Sequence, residues 1–364
     1  MSMPGASRRP PFCPNPDCAY HRVSGPGWPV VRTGFYARLA PPHRVQRYRC
    51  RHCRRQFSDQ TFSLTYWLKR PELLIEIASS LVGCSGYRQI ARARACAPTT
   101  VLTHAARLGR HALLFHEQHR PPVEEPLALD SFISFEFSQY APTAFHVAVG
   151  QHSHFAYGFT DSELRRSGTM RPRQRLRRAL LERRHGRPDP RATERDVAAL
   201  LRLLCPVPQH LELHTDQHRA YPRAVRRLLH LEVDQRTVSS RAARTPKNPL
   251  FPINLLDLLI RHSGANHKRE TVAFSKRRQS AVERLWVFLA WRNYVKSFSE
   301  RRQDDSPAVR RGAMRRRWRM RELFRERLFP SRIALPERWR RYYERQVATR
   351  YLTNNRRHQL HYAF

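Results

Sequence analysis

Two kinds of side chain in this sequence have the type and spacing to do chemistry. The first is a set of cysteines in two close pairs: Cys13 and Cys18 in CPNPDC, and Cys50 and Cys53 in CRHC. Four thiolates so spaced suit one tetrahedral Zn²⁺, a structural site because four Cys ligands leave no open position. The ion supplies folding energy that so small a core cannot. Cys84, Cys96 and Cys205 sit in no motif and read as buried small hydrophobes.

The second kind is the carboxylate in apolar company. Acids are scarce, 29 Asp+Glu against 68 Lys+Arg. Asp130 lies inside the strand-like run PLALDSF, where Asp is disfavoured and an unpartnered buried carboxylate is costly. Asp216 ends the strand-like LELHTD just before a helix, and ligands of open α/β sheets gather outside the carboxyl ends of strands. Glu283 lies in AVERLWVFLAW, apolar on nearly all sides and therefore buried, so it needs a salt bridge or a metal. Three such carboxylates brought to one point hold Mg²⁺ or Mn²⁺, hard cations that keep waters for substrate phosphates. Two ions about 3.5–4 Å apart activate a water or a 3′-hydroxyl and stabilise the leaving oxygen of an in-line attack on phosphorus. Alternatives stay open at this level. Asp216 could be the N-cap of the following helix, Glu283 could pair with Arg284 or an Arg of a neighbouring strand, and Glu270 and Asp257 rival Glu283 for the third position.

Elements that would position these groups are legible along the chain. Strand-like VVRTGFYARL and RVQRYRC, separated by a Pro-Pro turn, lie between the cysteine pairs, so residues 10–65 are expected to form a zinc ribbon. PELLIEIASSLVG is a helix ending at Gly83. Within residues 70–120, Tyr87–Arg94, the turn ACAP and Thr99–Arg110 have the pattern of a helix-turn-helix, whose second helix would offer Thr99, Thr100, His104 and Arg107 to DNA. Pro121, Pro122 and Pro126 mark a linker. Three strands at meander spacing follow, then helix–strand–helix–strand, then long helices around LFPINLLDLLIRH and SAVERLWVFLAWRNYV. That order is expected of a ribonuclease-H-like α/β catalytic domain over residues 126–300. A basic helical insertion at about 163–195 interrupts it: residues 165–195 hold twelve Arg and three acids. A basic helical C-terminal extension, 301–364, follows, with nine Arg in residues 310–327. Its aromatics Trp318, Phe324, Trp339, Tyr342 and Tyr343 suggest helices that pack while offering guanidinium groups to phosphates.

The 364 residues carry a formal charge of +39, a self-repulsion that suits work beside a polyanion, with nucleic acid the first candidate. A hydrophobic share of 40% argues against wholesale disorder. Membrane association is not expected, because no apolar run approaches the roughly 20 residues of a spanning helix. MSMPGASRRPPFC lacks the apolar stretch of a secretory signal, and an odd number of cysteines with two metal-like pairs suits a reducing compartment, so a cytoplasmic, nucleoid-associated protein is expected.

CPNPDC with YRCRHCRRQFSD, followed by a helix-turn-helix, resembles the N-terminal portion of bacterial DDE-class insertion-sequence transposases with a zinc-ribbon head, the insertion-sequence-one-like group. LHTDQHRAY is similar to that group's second-Asp motif, and ANHKRETVAFSKRRQSAVERLW to its third-carboxylate region. The resemblance implies a DDE triad on a ribonuclease-H-like fold, carried over onto Asp130, Asp216 and Glu283. It implies a transposase that binds double-stranded DNA, namely terminal inverted repeats and target DNA, works as a homo-oligomer, and cuts and joins strands. A transposase-derived DNA-binding regulator without catalysis and a stand-alone ribonuclease-H-like nuclease are the other functions this pattern accommodates. The insertion and the long extension depart from the small members of the group.

Overall fold

The computed structural model describes residues 9–353 except Ser24, Pro26, Ser240 and Arg302; the last eleven residues of the expected extension, 354–364, lie outside the described residues. Three strands open the chain: β1 (Val30–Ala37), β2 (Arg44–Cys50) and β3 (Gln56–Ser58), an antiparallel sheet in the order β1-β2-β3. It has its own small core, in which the Trp28 and Tyr48 rings stack on Phe57 with centroids 5.7 and 5.6 Å away.

Three helices follow: α1 (Leu73–Val82), α2 (Tyr87–Ala93) and α3 (Pro98–His119). The α2–turn–α3 pattern is present, but α3 continues well past Arg110 and is buried from His104 to His116. ALLF, at residues 112–115, is the stretch that carries it inward, and α3 shares a single hydrophobic core with the elements downstream. The expected boundary near residue 120 is therefore spanned by continuous packing: Val123, in the Pro-rich connection, is itself buried in that core.

A five-stranded sheet comes next, built from β4 (Leu127–Phe135), β5 (Pro142–Gly150), β6 (Ala156–Glu163), β7 (Gln209–Thr215) and β8 (Leu231–Thr237) in the order β6-β5-β4-β7-β8. β4, β5 and β6 form an antiparallel meander, whereas β7 runs parallel to β4 and β8 parallel to β7. Between β6 and β7 come α4 (Pro172–His185) and α5 (Ala192–Leu204); α6 (Ala220–Val225) joins β7 to β8. Side-chain alternation divides the two faces. Phe132, Phe145 and Phe159 make a row across β4, β5 and β6, with centroids 5.2 and 5.9 Å apart, and Phe159 lies 4.8 Å from Trp286. The opposite face carries Ser131, His146 and Ser162, toward α5 and α6.

Trp286 belongs to α8 (Arg278–Ala290), which with α7 (Phe251–Ser263) covers the aromatic face. α3 crosses α8 at Gly109, where a β-carbon would stand 2.4 Å from the Glu283 carbonyl oxygen, so only glycine permits this approach. The remaining helices, α9 (Pro307–Arg310), α10 (Met320–Leu323) and α11 (Glu337–Tyr343), are short. Phe324, Trp339, Tyr342 and Tyr343 do pack, as the aromatic pattern suggests, yet they pack into the main core rather than a separate helical appendage. Gly158 makes room for this segment: at φ +145°, its missing β-carbon would meet the Trp339 ring at 2.4 Å. No described helix is long and apolar enough to cross a membrane.

Candidate active site and metal centre

The four paired cysteines converge. Sulfurs of Cys13 and Cys53 stand 3.6 Å apart and those of Cys18 and Cys50 3.9 Å, and all four lie within 4.8 Å of one another. A tetrahedron of Zn–S bonds near 2.3 Å has edges of about 3.8 Å, so these thiols fit a zinc ion. Two knuckles bring them together, Cys18 leading a short 3₁₀ turn and Cys50 closing β2, while the strand pair fixes their separation. The site abuts the C-terminal segment. Phe12 packs edge-on to Phe329 at 5.3 Å, and His21 Nε2 lies 2.8 Å from the Ser331 hydroxyl. Of the remaining cysteines, Cys205 is buried as expected, whereas Cys84 and Cys96 are only half-buried near the α1–α2 and α2–α3 turns.

Asp130 and Asp216 come together through strand register. β4 pairs with β7 at Leu127↔Leu213, Ala128↔His214 and Leu129↔Thr215, and the next residues along are Asp130 within β4 and Asp216 just past the end of β7. Both line a cleft of about 360 Å³ at the carboxyl end of β7. Burial first, and then the charge of Asp216, raise Asp130 above the ordinary carboxylate value; the Ser131 N–H and the Tyr221 hydroxyl act in the other direction. Tyr221 Oη donates to Asp130 Oδ1 over 3.2 Å and lies 3.0 Å from Ser131 Oγ, which lies 2.6 Å from His146 Nδ1. Burial and the neighbouring Asp130 raise the Tyr221 phenol well above its ordinary value, so it stays protonated as a donor. Asp216 Oδ1 accepts the His218 N–H over 2.8 Å, which caps the turn into α6. Among the described residues, each carboxylate thus has its hydrogen bonds on Oδ1 and none on Oδ2.

A third carboxylate feels the charge of Asp130, and it is Asp257. It lies on α7, which packs against β4 and β5. Burial, and next the charge of Asp130, push it up to about 8, and its Oδ1 is buried without a hydrogen-bond partner. Exposed Arg244, in the loop after β8, acts on both Asp130 and Asp257. Among the described residues, the four cysteines are the one group of three or more possible ligands gathered within 4.8 Å.

Glu283 stands elsewhere. It is 1% exposed on α8, its Oε1 lies 2.8 Å from Arg345 Nε and accepts from Gln279 Nε2, and the charges it feels are those of Arg345 and Arg110. The apolar run rightly signals burial, but the partner is an arginine of the C-terminal segment. Glu270, the other rival, is exposed.

Of the four residues expected to reach DNA, Thr99 is exposed and Thr100 half-buried at the start of α3. His104 and Arg107 point inward instead. His104 bridges the carbonyls of Thr100 and Arg70, and Arg107 donates to those of Leu64 and Tyr66. These two fix the segment before α1 to α3 and are closed to a ligand. The exposed cations on α2 are Arg88 and Arg92.

Arg165 and Arg187, from the basic insertion, form the wall of the cleft facing Asp130 and Asp216. They were legible only as members of an Arg-rich run. Sequence patterns also gave no sign of a buried charge cluster on β6. There Arg338 and Arg278 hold Asp161 below its ordinary value against the effect of burial, and Arg278 and Arg350 pair with Glu163. This cluster ties the C-terminal segment to the sheet.

No protein-family model and no curated protein matches the chain. Among solved structures, a chain of the cryo-EM structure of the simian T-cell lymphotropic virus intasome in complex with PP2A regulatory subunit B56 gamma aligns over 72% of this chain and 76% of that one. The sequence identity is 11% and the TM-score 0.26. A likeness at that level leaves the function to be argued from the residues themselves.

Proposed function

We propose that the chain is a metal-dependent DNA-cleaving and strand-joining enzyme of the transposase type, with a ribonuclease-H-like catalytic core and a zinc-ribbon head. The observation that carries this is the parallel β4–β7 register, which sets Asp130 and Asp216 side by side at the mouth of a cleft. A three-strand meander extended by two strands parallel to its first is the sheet order expected of the ribonuclease-H-like fold.

Asp257 takes the third position in place of Glu283, because it shares the electrostatic field of Asp130, whereas the charges felt at Glu283 are those of Arg345 and Arg110. The free oxygens of Asp130, Asp216 and Asp257 are the donors a Mg²⁺ or Mn²⁺ ion prefers, and bridging waters and phosphates span gaps that side chains leave. Such ions, when bound, supply the charge that activates the attacking hydroxyl and stabilises the departing oxygen. Tyr221 orients Asp130 through its hydroxyl, while Arg165, Arg187 and Arg244 draw the phosphate backbone toward the acids.

The test is a cleavage and strand-transfer assay on DNA carrying the ends that flank the gene, with Mg²⁺ or Mn²⁺. Asp130→Asn, Asp216→Asn and Asp257→Asn should each abolish both steps with DNA binding retained, and Glu283→Gln should leave the chemistry of folded protein intact. Cutting without joining would indicate a nuclease. Binding without cutting by the unmodified chain would favour a DNA-binding regulator, the second reading, which draws on the looser gathering of the carboxylates compared with the thiols.

A further inference from the structure

The insertion between β6 and α5 contains a helix that ordinary folding does not explain. Not one residue of α4 is buried, so it has no apolar face holding it to the body. Polar contacts at its edges tether it. Arg165, which lines the cleft, makes a two-pronged pair with Glu182 at 2.8 and 3.0 Å, Arg178 donates to the Arg166 carbonyl, and Arg350 donates to the carbonyl of His185. Glu182 is the only acid in α4, and Arg165 and Arg178 engage it.

The outward stripe is left uncompensated. Arg173, Arg177 and Arg184 are spaced at i, i+4 and i+11, which places them on one side of a helix, and all three are exposed. None of their side chains makes an ion pair or hydrogen bond with another described residue. Arg173 and Arg177 even stand one turn apart as like charges, an arrangement that disfavours an isolated helix. At 1.5 Å per residue the stripe is about 16 Å long. The segments on either side of this helix supply Arg165 and Arg187, which line the Asp130–Asp216 cleft.

We propose that α4 is a DNA-gripping jaw: its Arg173–Arg177–Arg184 stripe lies along the phosphate backbone of the duplex whose adjoining segment enters the Asp130–Asp216 cleft. The inference rests on the DNA-processing reading above and names the element that holds the substrate. A row of unpaired guanidiniums suits phosphates, which take paired N–H donors, and it lies in the chain between two arginines that line the cleft. Leu180 is exposed within the same stripe and Leu176 one turn before it, so the guanidiniums flank a short apolar pair.

The experiment measures equilibrium binding of the full-length chain to a short fluorescent duplex over a salt series, without added divalent metal so that no cleavage intervenes. Wild type is compared with the triple variant R173Q/R177Q/R184Q and with R202Q/R223Q/R226Q, a charge-matched set of exposed arginines on and beside α5 and α6. Loss of three phosphate contacts should lower the slope of log K against log salt by about 2.7. Between 50 and 200 mM salt, wild type should then lose roughly 40-fold more affinity than the jaw variant. The control should retain the wild-type slope. Glutamine preserves helical preference, and circular dichroism should show both variants folded. Equal shifts in the two variants, or none in the jaw variant, would overturn the proposal, as would a change in oligomeric state at unchanged slope. Because binding is read rather than cleavage, the two ideas fail separately. A chain that grips through α4 but never cuts keeps the jaw and loses the enzyme, and one that cuts with an unchanged slope does the reverse.

Discussion

The carboxylate of Glu283 meets the guanidinium of Arg345 at 2.8 Å, deep enough that the glutamate is 1% exposed. This pair pins the C-terminal segment to α8, directly under the point where α3 crosses at Gly109. Glu283→Ala should therefore act on stability. Removing one partner of a wholly buried pair costs about 3–5 kcal/mol, and Arg345 keeps some solvent, so about 2–3 kcal/mol is expected. Denaturant titration reads this. Full stability combined with lost cleavage would return Glu283 to the active site.

Asp257→Asn should do the opposite. The substitution removes a carboxylate whose charge is opposed by burial and by Asp130, so the metal-free protein should melt no lower than wild type. Cleavage should fall by at least 10²-fold, and the stabilisation that Mg²⁺ or Mn²⁺ confers on the fold should shrink. Calorimetry with and without the metal checks both, and an unchanged metal-induced shift would exclude Asp257 as a ligand.

Zinc content should depend on each cysteine of the four. Native mass spectrometry is expected to find one zinc per chain, none in Cys50→Ser, and a loosened ribbon whose Trp28 fluorescence reports exposure. A full complement of zinc in Cys50→Ser would rule this site out.

Acid should weaken the fold through its buried histidines. Burial is the leading cause that lowers His111 and His154 to about 4 and His116, His146 and His267 to about 3. In the unfolded chain a histidine titrates near 6.5. Between those values the unfolded state binds more protons, so stability rises with pH through this window and is lost as pH falls from about 6.5 toward 4. Each histidine adds a slope of up to about 1.4 kcal/mol per pH unit. Chemical denaturation at pH 7, 6 and 5 tests it; a flat profile would mean that these rings are already charged in the folded protein.

Much of this architecture could be read in advance because its signals are local. Alternation marks the β4–β6 meander, the paired cysteines mark the ribbon, and Asp130 stands out as an acid in a strand. What escaped depends on partners distant in sequence. VERLW on α8 and LLDLL on α7 present the same pattern of an acid in an apolar helix. Only the packing of α7 on β4, and the arrival of Arg345 beside α8, separates their roles. His104 and Arg107 were misplaced for a related reason. A helix-turn-helix pattern does not reveal which face of α3 the segment before α1 will cover.

The C-terminal segment also bears on how the molecule is made. Trp339 and Tyr342 close over Phe159 and Trp286, and Phe329 and Ser331 close over Phe12 and His21. A ribosome emits Phe12 long before Phe329, at about 5–20 residues per second. Through that interval the nascent chain holds open both the apolar seam of the sheet and the flank of the cysteine knuckle. The late-synthesised residues then latch both at once, so a chain cut short before residue 345 should emerge as a client for chaperones and proteases instead of a working protein.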